Sequence, residues 1–513
     1  MSSPPSVARP FGVAAVLVVV AGVVLSLLTP DATTRAEVAS PEWPTVAPSG
    51  TSDQWIDPAS AGHPWSDAVD GVTTFRGNPT RSWYGTGPMP VDPAVVWRYP
   101  DEPMCARSDV EGDPRIRIWC GTGWTGQPTV FEREGRTWVV VGTYDRHVHF
   151  IDADTGDAIL PPYPTGDIIK GSVTIDPDGY PLVYTGSRDD NFHIVAFDGD
   201  APRELWTFNA YEVEPVLWND DWDSNALVVD DHLFEGGENG WFFIWKLNRG
   251  YDADGRVTVD PDLVFSTPGW DDELLADIGD ENVSIETSVA ISGDTVYFAS
   301  SGGLVQGWDI SGLEDGVDPT RVFRFWTGDD TDATVVIDDE GYLYVASEVK
   351  RPTERGLELG QIMKLDPRRP DDPVVWSIPD PFERGVWATP AIHRDLLIVP
   401  TDGGLVLGID RATGEIRWDV FLRGPTWQSP VVVDDVLVQG DCRGGMLRGF
   451  DVSDTSVQPP QIWSVELGGC IESTPAVWEG RIYVGTRGGF INAVGERDVP
   501  DGPLPIIIAP GGD

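Results

Sequence analysis

Three tryptophans, two glutamates and a lysine stand at matching places along this chain: Lys170, Trp222, Glu286, Trp387, Trp427 and Glu472, with Thr125 and Thr331 completing the series. Indole faces beside carboxylates and an ammonium group suit a sugar ring, a cationic group or a peptide. The same tryptophans equally suit packing between sheets, with the charges solvated in a wet channel. Other chemistry is thinly represented. Gly-x-Ser-x-Gly, His-Glu-x-x-His and phosphate-binding loops are absent. His147 and His149 share one strand face without an evident third metal ligand. Asp176-Pro177-Asp178-Gly179 and Asp338-Asp339-Glu340-Gly341 lack the ligand spacing and distal Glu of a calcium loop and read as hairpin turns.

A sentence written three times between residues 385 and 494 positions the series. Its clearest copy runs Trp387-Ala388-Thr389-Pro390-Ala391-Ile392, an apolar stretch, Thr401-Asp402-Gly403-Gly404, a second stretch, and Ala412-Thr413-Gly414-Glu415-Ile416-Arg417-Trp418. Trp427-Gln428-Ser429-Pro430 with Gly444-Gly445 and Trp463 repeats it. Ser473-Thr474-Pro475 with Gly488-Gly489 begins it a third time and stops before its Trp strand. Short alternating apolar runs between Gly, Asp and Asn turns signal antiparallel hairpins. A repeat of roughly 40 residues with four strands per unit signals propeller blades, since one such sheet cannot bury both faces alone.

Counting lead-ins at Gln127, Gly171, Ser224, Thr287, Asp332, Thr389, Ser429 and Thr474 predicts an all-β, eight-bladed propeller over residues 75–495. Val95-Val96-Trp97-Arg98-Tyr99 supplies the strand missing from the last blade, so an N-terminal strand is expected to close the ring and remove its edges. Insertions are expected at 248–283, 311–320 and 349–360, and residues 496–513 form a Pro/Gly-rich tail.

Acidic residues number 83 against 35 basic ones, leaving a formal charge of -48, which repels nucleic acid and anionic lipid. Residues 11–28 are uncharged and apolar behind Arg9, so residues 1–29 read as a signal anchor or signal peptide that exports the chain. Residues 30–74 read as a Pro/Ser-rich tether. Four cysteines suit an oxidising compartment. Cys105 and Cys120 bracket a short loop, while Cys442 and Cys470 lie in successive blades, and these are the pairings expected.

The repeat resembles the pyrroloquinoline quinone (PQQ)-type propeller repeat. The resemblance rests on Phe150-Ile151-Asp152-Ala153-Asp154-Thr155-Gly156 and Ile409-Asp410-Arg411-Ala412-Thr413-Gly414-Glu415-Ile416-Arg417-Trp418. Lys364-Leu365-Asp366 with Trp376, and Phe450-Asp451 with Trp463, match in part, and Phe75-Arg76-Gly77-Asn78-Pro79 is similar to the segment introducing such propellers. Two classes follow from it: a PQQ- and Ca2+-dependent oxidoreductase, or a non-catalytic propeller similar to the barrel-assembly lipoproteins of outer membranes. Adjacent cysteines and a recognisable calcium set are missing. The expectation is therefore a monomeric, non-catalytic scaffold without catalytic residues, cofactor or metal, binding a protein or cell-envelope partner. A quinoprotein oxidoreductase and a carbohydrate-active propeller are the alternatives.

Overall fold

A computed structural model describes residues 54–110 and 113–497. The anchor, most of the tether and all but the first two residues of the tail fall outside them. Among the described residues no helix is long and apolar enough to cross a membrane.

Eight sheets, each with four antiparallel strands, follow one another around a central channel; the first and last carry a fifth strand, in the last blade Gly85–Thr86 laid parallel to its inner strand. Blade 1 is built from Thr129–Arg133, Arg136–Thr143, His147–Asp152 and Ala158–Pro164, with Gly71–Val72 added at its inner edge. The inner strands of blades 2 to 7 begin at Thr174, Leu227, Ala290, Val336, Ala391 and Val431. Blade 8 takes three strands from the C-terminal end, Ala476–Trp478, Arg481–Thr486 and Phe490–Glu496. Its outer strand is Pro93–Tyr99 from the N-terminal end, as the missing Trp strand requires.

The repeat motif works at the seams. Asp152 Oδ1 accepts from the Asp154 and Thr155 N–H groups at 3.0 and 3.1 Å, and Asp410 Oδ1 from Ala412 and Thr413 at 2.8 Å each. These turns place Gly156 (φ +78°) under Trp97 of blade 8 and Gly414 (φ +76°) under Trp376 of blade 5. A Cβ there would lie 2.8 to 2.9 Å from the indole, so only glycine lets the ring close down. Each Trp then donates to a turn carbonyl, Trp97 to Ala153 at 2.8 Å and Trp376 to Arg411 at 3.0 Å. The small residues at the lead-ins also link neighbours: the Thr334 N–H donates to Thr389 Oγ1 at 3.1 Å, and the Thr389 N–H to Ser429 Oγ at 3.0 Å.

The sequence placed some pieces differently. Residues 54–74, assigned to the tether, lie against the blades. Ile56 is buried and exchanges two backbone hydrogen bonds with Gly293 of blade 4, and Trp55 packs on His232 and Phe234 of blade 3. The stretch 248–283, read as an insertion, contains blade 3's own outer strand, Asp262–Pro268, between a short hairpin and the helix Asp272–Ile278.

Residues 73–84, read only as a lead-in, fill one end of the channel. Thr73, Pro79 and Thr80 carbonyls accept from Ile175, Ile291 and Ile337 of blades 2, 4 and 5. Arg76 and Arg81 are fully buried there. Arg76 donates to the carbonyls of Arg81, Pro390 and Pro430 at 2.8 to 3.0 Å, and Arg81 to those of Phe75 and Val289 and to Asn225 Oδ1. One N-terminal segment thereby ties the inner strands together.

Candidate functional site

The other end of the channel is lined by side chains four positions ahead of each inner strand: Thr125, Lys170, Asp223, Glu286, Asp332, Trp387, Trp427 and Glu472. Six of the eight are as the sequence placed them. At blades 3 and 5 the expected Trp222 and Thr331 are one residue out of register, and in extended chain one residue reverses the side chain. Trp222 is fully buried among Phe192, Phe208 and Phe243, donating to the Asp190 carbonyl at 3.1 Å. Asp223 and Asp332 face the channel in place of Trp222 and Thr331.

Sequence reasoning missed a second ring, from the links between the second and third strands: Tyr144, Arg188, Glu238, Ser301, Glu348, Asp402, Cys442 and Arg487. For Ser301, Asp402 and Arg487 the signal was present as the position ahead of a Gly-Gly turn; the other five carry no such mark. The rings interlock. Lys170 Nζ lies against Asp223, 3.3 Å from Glu238 and 3.9 Å from Asp221. Two blades on, Lys350 Nζ lies 3.0 Å from Asp330, 3.4 Å from Asp332 and 3.0 Å from Glu348. These are equivalent triads, Asp-x-Asp before the inner strand and Glu after the second, each filled by a lysine. Glu286 lies between them, and burial, then Asp332 and Glu238, push its carboxyl well above the usual range. Glu472 accepts from Arg487 at 3.2 Å.

Three tryptophans occupy the opposite arc. Trp124 stacks on Trp387, ring centroids 5.1 Å apart and planes 7° off parallel, and Trp427 meets Trp387 edge-on at 5.4 Å. Asp402, held by the Trp387 N–H and the Trp427 indole, is pushed up to about 7, chiefly by burial. The Cys105–Cys120 pair closes a hairpin whose Trp119 packs against Tyr144 and the Arg188 and Arg487 guanidinium groups. Cys442–Cys470 joins the mouth loops of blades 7 and 8. Both expected pairings are present.

The remaining sequence candidates have local partners. His149 Nδ1 lies 2.9 Å from the Tyr99 hydroxyl and its Nε2 3.1 Å from Asp145, so both ring nitrogens are engaged. His193 repeats the arrangement with Tyr163 and Asp189. Asp176 and Asp338 accept from Tyr184 and Tyr344 and pair with Arg249 and Arg411 of the next blade.

The fold and repeat define the class: the chain is a PQQ-like, BamB-like repeat β-propeller. The family profile described as outer membrane protein assembly factor BamB matches residues 358–458. No curated protein matches the sequence. Among solved structures, BamB from Moraxella catarrhalis is similar at 17% identity and a TM-score of 0.50, over 70% of this chain and 93% of that one. A europium-containing methanol dehydrogenase is similar at 12% identity and a TM-score of 0.54, over 81% of this chain and 89% of that one. Sqt1 from Saccharomyces cerevisiae is similar at 10% identity and a TM-score of 0.53, over 73% and 97%. Such likenesses show the fold alone.

PQQ and Ca2+, which the resemblance brings into view, do not fit the residues present. Lysine ammonium groups occupy the two carboxylate triads that could hold Ca2+, and one face of the Trp387 indole is already stacked on Trp124.

Proposed function

We propose that the chain is an exported, non-catalytic propeller, presented outside the cytoplasmic membrane by its N-terminal apolar segment, that binds a protein or cell-envelope partner through the mouth face. The observation carrying this reading is the difference between the channel ends. One is filled by residues 73–84. The other gathers two rings of polar and aromatic side chains, rimmed by the exposed Tyr211, Trp218, Phe382 and Phe421. Exposed aromatics around a recessed polar centre are the composition of recognition surfaces. The two disulfides suit an oxidising compartment, and the description of the matched profile, an assembly factor, supports a protein or envelope partner over a metabolite.

The test is photo-crosslinking in intact cells from Phe421, on the mouth face, and from Val457, in a link on the opposite face. A discrete adduct from Phe421 alone is expected. Adducts of equal yield from both positions, or none from either, sink the reading.

A further inference from the structure

Seven residues, Trp119 to Thr125, carry four polar groups with no hydrogen-bond partner among the described residues: Trp119 Nε1, Thr122 Oγ1, Trp124 Nε1 and Thr125 Oγ1. Thr122, Trp124 and Thr125 are 0, 4 and 1% exposed. Thr125 also holds a φ of +56°, which a β-branched residue adopts only under constraint. That kink sits beside Trp124, whose ring lies on Trp387. Three more orphans, Trp387 Nε1, Asp402 Oδ1 and Arg487 Nε, belong to the same mouth. Buried polar groups are normally paired, and strained backbone concentrates where a ligand is handled. Thr122 lies on Gly485 of blade 8, and the convergence of the others on one loop and the ring facing it marks a site that a ligand completes.

The chemistry of the orphans selects the ligand. Three indole N–H groups and a guanidinium N–H donate, a carboxyl oxygen accepts, and the Thr125 hydroxyl does either. A cation satisfies Asp402 but none of the donors. An anion is disfavoured by a chain of formal charge -48. An apolar ligand leaves every orphan unpaired. A ring bearing several hydroxyls answers donors and acceptors together, and its C–H face lies flat on an indole.

We propose that the mouth binds an uncharged or amino saccharide ring. Trp124, Trp387 and Arg487 donate to its hydroxyls, Asp402 accepts from one, and the Trp387–Trp427 corner takes its apolar face. This deepens the mouth-face reading and rests on it.

The experiment applies the labelled full-length protein in detergent to an array of neutral, amino and uronic-acid oligosaccharides. Trp387→Phe, Trp387→Ala and Asp402→Asn are run beside it, with Val457→Ala as a control on the opposite face. Retention of neutral or amino glycans is expected, none of uronic-acid glycans alone. Retention falls at least ten-fold in Asp402→Asn and Trp387→Ala and less in Trp387→Phe, which keeps a ring face without the N–H. Val457→Ala binds as the parent does. The retained glycan, free in solution, quenches tryptophan fluorescence saturably. Retention of no glycan by folded protein overturns the proposal, as does retention that Asp402→Asn and Trp387→Phe leave unchanged. If the array is blank while Phe421 still crosslinks, the mouth-face reading stands and the saccharide does not.

Discussion

Trp124 and Trp387 stack 5.1 Å apart across the channel mouth although they belong to blades 1 and 6, which are not neighbours in the ring. Backbone pairing cannot join these blades, so the indole pair couples them directly. Such pairs contribute about 0.5–1.5 kcal/mol beyond the area they bury. A double-mutant cycle of Trp124→Ala and Trp387→Ala, read by urea unfolding, is expected to return about 1 kcal/mol of coupling. Additive effects would mean the rings are adjacent without supporting each other.

Lys170 sets a second expectation. Its ammonium is enclosed by Asp221, Asp223 and Glu238, and these carboxylates hold its proton more firmly than a free lysine does, despite burial. Lys170→Met leaves the three carboxyls with Arg188 as their remaining close cation. Removing one partner of a buried ion cluster costs about 3–5 kcal/mol. A drop of that size in unfolding free energy is expected at alkaline pH, with part recovered as pH falls through about 7, because burial already raises Asp221 to about 7 and Asp223 well above the usual range with the lysine in place. A Met variant as stable as the parent would show that the cluster is already largely protonated.

How far this site was legible in the sequence is seen at Trp222. The repeat fixed where blade 3 begins to within one residue, which suffices for a fold. It does not suffice for a site, because Trp222 and Asp223 point opposite ways. Asp221, Glu238, Asp330 and Glu348 were hidden for another reason: among 83 acidic residues, four particular carboxylates carry no signal until the blades bring them together. Trp97 shows the converse. Its strand, its glycine partner and its place in the last blade all follow from one local motif, so it could be placed correctly. Trp124 could not, since its partner lies 263 positions away in a blade that pairing rules do not connect (387 − 124 = 263).

Asp402 gives the mouth a pH dependence. Its carboxyl is pushed up to about 7, first by burial, against about 4 in an unfolded chain. The folded protein therefore keeps a proton there that the unfolded chain has lost. That proton's contribution is complete at or below pH 4 and falls away as pH rises to about 7. Between pH 5 and 7, Tm should fall more steeply for the parent than for Asp402→Asn, which has no proton to lose. Parallel Tm profiles would mean that the carboxyl titrates normally.

The plug yields the sharpest structural test, because Arg76 is buried with no carboxylate beside it. Burial lowers its pKa, while the Tyr84 ring, 4.5 Å from the guanidinium carbon, favours the charged form. Its hydrogen bonds go to the carbonyls of Arg81, Pro390 and Pro430, which link the plug to blades 6 and 7. Arg76→Met relieves the cost of the buried charge but strands three buried carbonyls, each worth about 1–3 kcal/mol unpaired. Three such losses outweigh one relief, so a net destabilisation of about 3 kcal/mol is expected. Hydrogen exchange locates it: the Ile175, Ile291 and Ile337 amides, bonded to plug carbonyls, and the Ile392 amide, bonded to the Tyr84 hydroxyl, should lose protection before the seams held by Trp97 and Trp376. Loss of protection spread evenly over all eight blades would instead make the plug part of one cooperative unit with the ring.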